Sequence, residues 1–260
     1  MTIFAEAPFD ALFERTDPFG WSASVEGEVF REAGGRRTVR FELEGRSWFL
    51  KVHAPPSLPE RVKEWSSLRR PPEGARQEAR ALAALARAGL RVPRVAAWAE
   101  RAGASFIVTE DVGTQETIGT LLARGALEVR DARTRRALID AVADLIGRMH
   151  RAGVNHRDCY LVHVSHFGVD DAGAPRLGLM DLHRAGVRDQ VPPRWRAKDL
   201  GALGFSAEAA ALTPAERLRF RARYARAAGI GREDALWRRV ERRIARLEAE
   251  RARRGERFGG

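Results

Sequence analysis

The sequence is poor in several features that mark secreted and membrane proteins. Its single cysteine, Cys159, excludes an intrachain disulfide and is typical of a reducing cytoplasm. No apolar run approaches the roughly 20 residues needed to span a bilayer, and residues 1–6 lack the basic start and long apolar stretch of a secretory signal. We therefore expect a cytoplasmic protein, whose 260 residues suffice for one large domain or two packed lobes.

Lysine is scarce, and arginine supplies nearly all of the positive charge. The formal net charge is +11 at pH 7, with arginine-rich runs at 217–221 and 251–254. Such an excess fits three kinds of partner: nucleic acid, an anionic membrane or lipid head group, or an acidic protein. It fits equally well with solvated helix faces that bind nothing. Nucleic acid is disfavoured because few aromatic side chains lie among the basic runs as stacking platforms.

The first 110 residues are predicted to form mainly antiparallel sheet. Short stretches of alternating apolar and polar residues, separated by Gly-containing turns, indicate a meander of strands. The Pro-rich stretch at 53–75 predicts a long loop with at most a short helix at 60–68, and a helix follows at 75–88. The predicted strands are 25–30, 38–43, 47–52, 92–98 and 105–109.

The remaining residues are predicted to be mainly helical. Residues 131–152 have apolar side chains at helical spacing, a short apolar strand lies at 177–180, and Thr213 opens a helix as its N-cap. The last helix carries one apolar stripe, formed by Leu236, Val240, Ile244 and Leu247. We predict an α+β fold on the two-lobe plan of protein kinases, with a sheet-rich lobe at 1–110 and a larger helical lobe at 111–260.

Two aspartates in the helical half indicate phosphoryl transfer. A His-Arg-Asp tripeptide ending at Asp158 follows the helix at 131–152, and Asp181 follows the short apolar strand. This reaction needs one carboxylate to orient and deprotonate the attacking hydroxyl, and another to hold Mg²⁺ on the nucleotide phosphates. We predict that Asp158 is the catalytic base and Asp181 the metal ligand of an ATP-dependent enzyme. Either aspartate alone would more simply be a helix cap, an ion-paired residue or a turn former.

Candidate nucleotide-binding residues lie in the sheet-rich half. Lys51 ends the third predicted strand, where kinases place the lysine that binds nucleotide phosphates, and Glu78 in the next helix is its natural partner. No G-x-G-x-x-G motif is available to cover the phosphates. Gly34 and Gly35 are the candidates, although two glycines in a hairpin more often form only a turn. Glu110 follows the last strand, where main-chain groups of a hinge would meet adenine.

His163 departs from the protein-kinase pattern. Five residues after Asp158, protein kinases have an asparagine that binds a second Mg²⁺, whereas imidazole is a poor ligand for this hard cation. His163 is therefore a candidate for hydrogen bonding to a phosphate or to the loop, or for a less typical metal contact. Cys159 is interpreted as a packing residue. No Ala-Pro-Glu motif follows Asp181, which favours a small or lipid-linked acceptor over a peptide.

Longer strings around these residues are similar to those of one family. They read Asn-His-Arg-Asp-Cys-Tyr at 155–160, Met-Asp-Leu-His-Arg-Ala at 180–185 and Arg-Trp-Arg-Ala-Lys-Asp-Leu at 194–200, with further similarity at 36–41 and 49–53. From about residue 25 to 206 the chain resembles the lipopolysaccharide core heptose kinases of Gram-negative bacteria. That family also has histidine at the position of His163.

The resemblance implies ATP-dependent phosphorylation of a heptose hydroxyl on a lipid-linked acceptor, the anionic lipid A–core, that faces the cytoplasm. Carried over residue by residue, it implies Asp158 as base, Asp181 as Mg²⁺ ligand, and Lys51 with Glu78 at the phosphates. The positive charge would suit such an acceptor and peripheral contact with the anionic inner-membrane leaflet. It would also suit an acidic protein partner, whereas no nucleic acid is expected.

Two alternatives remain open at this point. A kinase of the same lineage could act on another sugar, such as the neighbouring octulosonic acid of the core or an aminoglycoside-like molecule. An inactive kinase-like scaffold could bind nucleotide or a partner protein. The joint presence of Lys51, Glu78, Asp158 and Asp181 argues against the scaffold.

Overall fold

A computed structural model of the chain describes residues 1–33, 35–54, 74–113, 116–125, 132–231 and 233–255. These residues fall into two compact units. The first unit is made of Met1–Ala83, Pro93–Gly113 and Leu182–Arg184, and the second of Ala84–Val92, Thr114–Asp181 and Ala185–Gly260.

Strands and helices are both well represented in the described residues. The strands are β1 (Thr2–Ala5), β2 (Glu28–Ala33), β3 (Arg36–Leu43), β4 (Arg46–His53), β5 (Val95–Arg101), β6 (Ala104–Glu110), β7 (Val154–Asn155), β8 (Val164–Val169), β9 (Pro175–Leu179) and β10 (Gly186–Val187). The α-helices are α1 (Phe9–Phe13), α2 (Pro18–Ser24), α3 (Ala75–Arg87), α4 (Ile118–Ala123), α5 (Ala132–Arg151), α6 (Pro193–Ser206), α7 (Pro214–Ala228) and α8 (Asp234–Arg254). Short 3₁₀ helices lie at Leu161–His163 and Glu208–Ala210.

The first unit contains a six-stranded antiparallel sheet with the strand order β1-β5-β6-β4-β3-β2. The predicted α+β class and the sheet-rich first half are confirmed. Strands β2 and β5 each begin three residues later than the sequence predicts. Val25 ends helix α2 as its C-cap and is buried in the core, and Pro93 has no amide to donate to a sheet ladder. Strand β1 and helices α1 and α2 are additional to the predicted elements.

One face of this sheet packs against the N-terminal helices. Phe9 of α1 is fully buried, and its ring centroid lies 5.0 Å from that of Trp48 on β4 in an edge-to-face contact. Trp48 and Leu50 point into this core. Because side chains alternate along a strand, those of Phe49 and Lys51 lie on the opposite face of the sheet. The core therefore fixes which face of β4 carries Lys51.

The second unit is built around pairs of packed helices. Gly147 on α5 lies against α7 so closely that an added Cβ would be 2.6 Å from the Cβ of Ala227 and 2.9 Å from the backbone nitrogen of Ala228. Helix α7 begins with the predicted cap, because the Thr213 side chain accepts a hydrogen bond from the Glu216 amide in a capping box. Tyr224 of α7 is fully buried.

Replacing Gly147 by alanine should lower the free energy of unfolding by about 2 kcal/mol. Overpacking costs about 1–3 kcal/mol, and the better helix propensity of alanine offsets less than that. The melting temperature should fall by several degrees in a thermal melt. Gly231→Ala is the control, because no atom of the described residues lies within 4 Å of an added Cβ there. Equal stability of the two variants would contradict the close packing of α5 on α7.

Other predictions for the second half concern element boundaries. Helix α5 lies within one residue of the predicted 131–152 at each end, and the strand before Asp181 is β9, which ends at Leu179 rather than at Met180.

The predicted loop at 53–75 and its helix at 60–68 lie almost entirely outside the described residues. Within the described residues, no helix combines the length and hydrophobicity required to cross a membrane.

Candidate active site

The loop that carries Asp158 follows helix α5 through a turn that only glycine can make. Gly153 has φ of 77°, and a Cβ there would lie 1.9 Å from the carbonyl oxygen of Arg188. The amide of Arg188 donates to the Gly153 carbonyl at 2.9 Å. Strand β7 then pairs with β10, so the chain is held on both sides as it enters the loop.

Asp199 on helix α6 fixes the backbone of the loop. Its carboxylate is fully buried and accepts hydrogen bonds from the amides of His156 and Arg157, at 2.7 and 2.8 Å. Arg157 has φ of 71°, a left-handed conformation that costs about 1–3 kcal/mol in a non-glycine residue. The two charge-assisted bonds offset this strain and set the direction in which the chain reaches Asp158.

A buried hydrogen-bond chain supports Asp199 from behind. Nε2 of His150 on α5 lies 3.2 Å from the Asp199 carboxylate, and its Nδ1 lies 2.8 Å from the Tyr224 hydroxyl. Burial raises the pKa of Tyr224, so the hydroxyl remains protonated and donates to His150. His150 in turn donates to Asp199, and three elements of the second unit thereby converge on the loop.

His163 connects the loop to Asp181. Its Nδ1 donates to the carbonyl oxygen of Asp158 at 2.7 Å, and its Nε2 lies 3.7 Å from a carboxylate oxygen of Asp181. The ring stacks on His156 with centroids 5.5 Å apart. Burial lowers the pKa of His156, whose Nε2 donates to the Met180 carbonyl. Asp158, His163 and Asp181, all singled out from the sequence, are thus brought together in the second unit.

The residues around Asp181 fit a divalent cation that takes most of its ligands from water and from substrate phosphates. Asp181 has φ of 58°, so the chain turns sharply just after β9. Nδ1 of His163 is engaged by the Asp158 carbonyl, so Nε2 is the ring nitrogen that faces the Asp181 carboxylate. The described residues contain no group of three or more His, Cys, Asp or Glu side chains able to hold a metal alone. This donor set suits Mg²⁺, which commonly uses one or two carboxylates plus water and substrate phosphates.

Lys51 and Glu78 meet in the first unit. The Lys51 Nζ lies 2.7 Å from a carboxylate oxygen of Glu78, whose side chain is only 4% exposed. Helix α3 brings Glu78 to β4, and the Ala75 amide at its start donates to the Ser105 hydroxyl on β6. The predicted partnership of Lys51 with Glu78 is therefore present as an ion pair.

The other candidate nucleotide-binding residues are placed as follows. Gly35 has φ of 70° in the turn between β2 and β3, and Gly34 lies outside the described residues. Glu110 ends β6, and its amide donates to the Arg94 carbonyl at 2.9 Å. Its carboxylate pairs with Arg46 and Arg94, which lowers the pKa of Glu110, chiefly through the bond to Arg46. Its side chain thus has a local partner, and the predicted hinge role concerns only the main chain.

His53 lies two residues beyond Lys51 on the same face of β4. Burial, together with the nearby positive charge of Arg36, lowers the pKa of His53 from 6.5 to about 4. Arg36 is its cross-strand partner on β3. The folded protein therefore holds His53 neutral over a pH range in which the unfolded chain binds a proton.

Acidification should destabilise the protein partly through His53. Between pH 6.5 and about 4 the unfolded chain binds a proton that the folded chain does not, so the free energy of unfolding falls as the pH is lowered through this window. The contribution is about 3 kcal/mol at its maximum. Urea unfolding at pH 7 and pH 5 should show a smaller loss for His53→Gln than for the wild type. Identical losses would contradict this assignment.

Asp199 is the most important supporting residue of the loop, and its role is not apparent from the sequence. Asp199 lies within the string at 194–200 that resembles the family. No local pattern, however, distinguishes a buried carboxylate that accepts hydrogen bonds from backbone amides from an exposed carboxylate on a helix. The expectation that Cys159 is a packing residue agrees with its burial, which also raises the pKa of its thiol well above the usual value. Such a thiol is a poor nucleophile.

Comparisons with known proteins show the family to which the chain belongs. A family model described as the lipopolysaccharide kinase (Kdo/WaaP) family matches residues 21–224. A Pseudomonas aeruginosa protein, "Lipopolysaccharide core heptose(I) kinase WaaP", is 40% identical over 236 residues, covering 87% of each chain. The Escherichia coli K12 protein of the same name is 40% identical over 222 residues, covering 82% of this chain and 83% of that protein.

The fold is also similar to that of a solved structure. A chain described as "WaaP in complex with acyl carrier protein" has a TM-score of 0.77 and 38% sequence identity, and the match covers 95% of this chain and 99% of that one. The predicted kinase-like fold is confirmed by this likeness.

Proposed function

Because the chain belongs to the lipopolysaccharide kinase (Kdo/WaaP) family, we propose that it transfers phosphate from ATP to a heptose hydroxyl of the lipopolysaccharide core. Both curated relatives described above are named as kinases of this sugar. The observation that carries the proposal is the loop at Asp158, whose preceding residues are held by the buried Asp199. An inactive scaffold would not need so constrained a loop next to a carboxylate.

Asp158 is proposed as the catalytic base. A carboxylate at this position would accept the proton of the attacking hydroxyl and orient its oxygen toward the terminal phosphate. The main chain on both sides is fixed, by Asp199 before it and by the bond from His163 to the Asp158 carbonyl after it. Such positioning, rather than covalent chemistry, supplies most of the rate enhancement in phosphoryl transfer.

Asp181 and His163 are proposed to hold Mg²⁺. The ion, when bound, would neutralise negative charge on the nucleotide phosphates. Asp181 would supply a hard carboxylate oxygen, and His163 would hold the loop in register and lend its Nε2 as a weaker donor. Lys51, oriented by Glu78, is proposed to bind the phosphates from the first unit, with Gly34, Gly35 and the Glu110 main chain as further nucleotide contacts. In this proposal residues 1–110 bind nucleotide and residues 111–260 carry the base and the metal ligands.

The basic surface is proposed to serve an anionic, lipid-linked acceptor. Arginines on α7 and α8 form several surface ion pairs, such as Arg219 with Asp140 and Arg221 with Glu241, yet the chain retains a net charge of +11. That excess favours a cytoplasmic protein in peripheral contact with the anionic inner-membrane leaflet. It also favours an acidic protein partner, and an acyl carrier protein is the partner present in the similar solved structure.

The test is transfer of labelled phosphate from Mg-ATP to purified lipopolysaccharide that lacks core phosphate. We expect label on the sugar, with mass spectrometry locating the phosphate on a heptose. Parallel acceptors are lipopolysaccharide whose only core sugar is octulosonic acid, and an aminoglycoside. Label on either of these but not on heptose would overturn the proposed acceptor. No label on any acceptor, with ATP still bound, would favour the scaffold.

Lys51→Met should raise the KM for ATP and lower kcat/KM by about two orders of magnitude, because it removes a charge that binds the phosphates. It also leaves the carboxylate of Glu78 buried without its partner, which is destabilising. The double variant Lys51→Met/Glu78→Gln should therefore regain stability in urea unfolding without regaining activity. If the double variant also recovered kcat/KM, Lys51 would be a structural residue only.

A further inference from the structure

Four positive charges surround a single indole ring beside the catalytic loop. The guanidinium carbons of Arg157, Arg188 and Arg194 lie 4.9, 5.4 and 5.6 Å from the centroid of Trp195, and the Nζ of Lys198 lies 5.4 Å from it. All belong to the second unit. We call this set the Trp195 cluster.

The cluster places four like charges around one ring. Since each charge lies within 5.6 Å of one centroid, no two are more than about 11 Å apart, which is comparable to the screening length of about 10 Å at 0.1 M salt. A ring quadrupole attracts a cation only weakly at a partly exposed site. An anion placed among them would be attracted by all four. Guanidinium groups match a carboxylate or a phosphate in a bidentate manner.

The carboxylate nearest along helix α6 is already engaged. Asp199 lies one turn after Trp195 on α6 and accepts the two loop amides described above. Arg196, also on α6, pairs with Glu233 at 3.5 Å. In contrast, Nε of Arg157 and Nε1 of Trp195 are buried polar atoms without a hydrogen-bond partner in the described part of the chain. These two N–H groups are available to an acceptor atom supplied by a ligand.

The cluster is tied to the catalytic loop through backbone and side chains. Arg157 immediately precedes Asp158, and its guanidinium lies over Trp195 while Asp199 holds its amide. Arg188 donates to the Asn155 side chain, at the start of the same loop. Gly186 leaves the room for this contact, because a Cβ there would lie 2.8 Å from the Asn155 oxygen. An anion bound by the cluster would therefore be held at a fixed position relative to Asp158.

We infer that the Trp195 cluster binds an acidic substituent of the sugar acceptor, a carboxylate or a phosphate next to the hydroxyl that is phosphorylated. The inference rests on the proposed function for the identity of the acceptor. It deepens that proposal, because it assigns recognition of the acceptor's charge to four residues of the second unit. A neutral sugar of the same shape would then be a poor substrate.

The test measures binding of the acceptor without turnover. Deacylated core oligosaccharide, unphosphorylated at the acceptor hydroxyl and otherwise intact, is titrated calorimetrically into the full-length protein in the absence of ATP. Arg194→Gln and Lys198→Gln should each raise the Kd about tenfold, as expected for loss of one charge-assisted contact. Arg194→Lys, which keeps the charge, should recover most of the affinity. Arg176→Gln, at an exposed position on β9, is the matched control and should bind like the wild type.

Two modified oligosaccharides identify the acidic group. One has its carboxyl groups reduced to alcohols, and the other is dephosphorylated with its carboxylates intact. The modification that abolishes the difference between the wild type and Arg194→Gln names the group that the cluster binds. If Arg194→Gln and Lys198→Gln bind the intact oligosaccharide like the wild type, or if neither modification changes their deficit, the inference is wrong. Arginine-dependent binding in a protein that transfers no phosphate to heptose would refute the proposed function alone.

Discussion

Replacing Asp158 by asparagine should reduce kcat by about three orders of magnitude while leaving the fold intact. The change removes the proton acceptor but keeps the size of the side chain, and general base catalysis contributes about 10²–10⁴-fold. The KM for ATP should change little, because the nucleotide is proposed to contact other residues. Steady-state kinetics with lipopolysaccharide as acceptor give kcat, and circular dichroism checks the fold.

Asp171→Asn is the matched control for this variant. Asp171 is exposed in the turn between β8 and β9, so the same chemical change there should leave kcat unaltered. Asp158→Ala should be at least as impaired as Asp158→Asn. Retention of more than about a tenth of wild-type kcat by both variants would remove Asp158 from the mechanism, since a positioned base contributes more than that.

Asp199→Ala should destabilise the second unit by about 3 kcal/mol or more and abolish activity. The carboxylate accepts from two loop amides and from His150. Its removal leaves buried donors unsatisfied at about 1–3 kcal/mol each, and breaking a buried charged network typically costs 3–5 kcal/mol. Urea unfolding measures the loss of stability, and native-state hydrogen exchange should show faster exchange at the His156 and Arg157 amides.

Asp199→Asn separates positioning from stability. The amide keeps one oxygen as an acceptor, so the variant should fold with an intermediate stability, and its kcat should fall while the KM for ATP is preserved. Local exchange at the loop amides should increase more than exchange in α7. An active Asp199→Asn protein with unprotected loop amides would show that the fixed backbone is dispensable for catalysis.

The sequence predicts the fold well where patterns are local. Helix α5 has a strong amphipathic period over five turns, and the cap at Thr213 has its partner three residues away. Strand β1 has no such signal, because three of its four residues are exposed and its partner β5 lies about a hundred residues later. The late start of β2 has a tertiary cause as well, since burial of Val25 in the core decides where the strand begins.

Some residues of the candidate site can likewise be predicted from local sequence, and others cannot. Asp158, Asp181 and the pair of Lys51 with Glu78 are predictable because their chemistry demands those residue types in that order along the chain. Asp199 is not predictable, because its role is defined by backbone amides some forty residues earlier in the sequence. The Trp195 cluster is likewise invisible, since Arg157 and Arg188 reach the ring from separate loops.

The pairing of β1 with β5 has a consequence for synthesis of the protein. Thr2 pairs with Glu100 and Ala5 with Ala97, so at 5–20 residues per second β1 leaves the ribosome roughly 5–20 s before its partner is available. Over that interval its backbone is hydrated rather than paired, and Ile3 and Phe4 remain open to chaperones. A chain that stalls before β5 is complete would present an unpaired apolar strand, which is a substrate for aggregation or proteolysis.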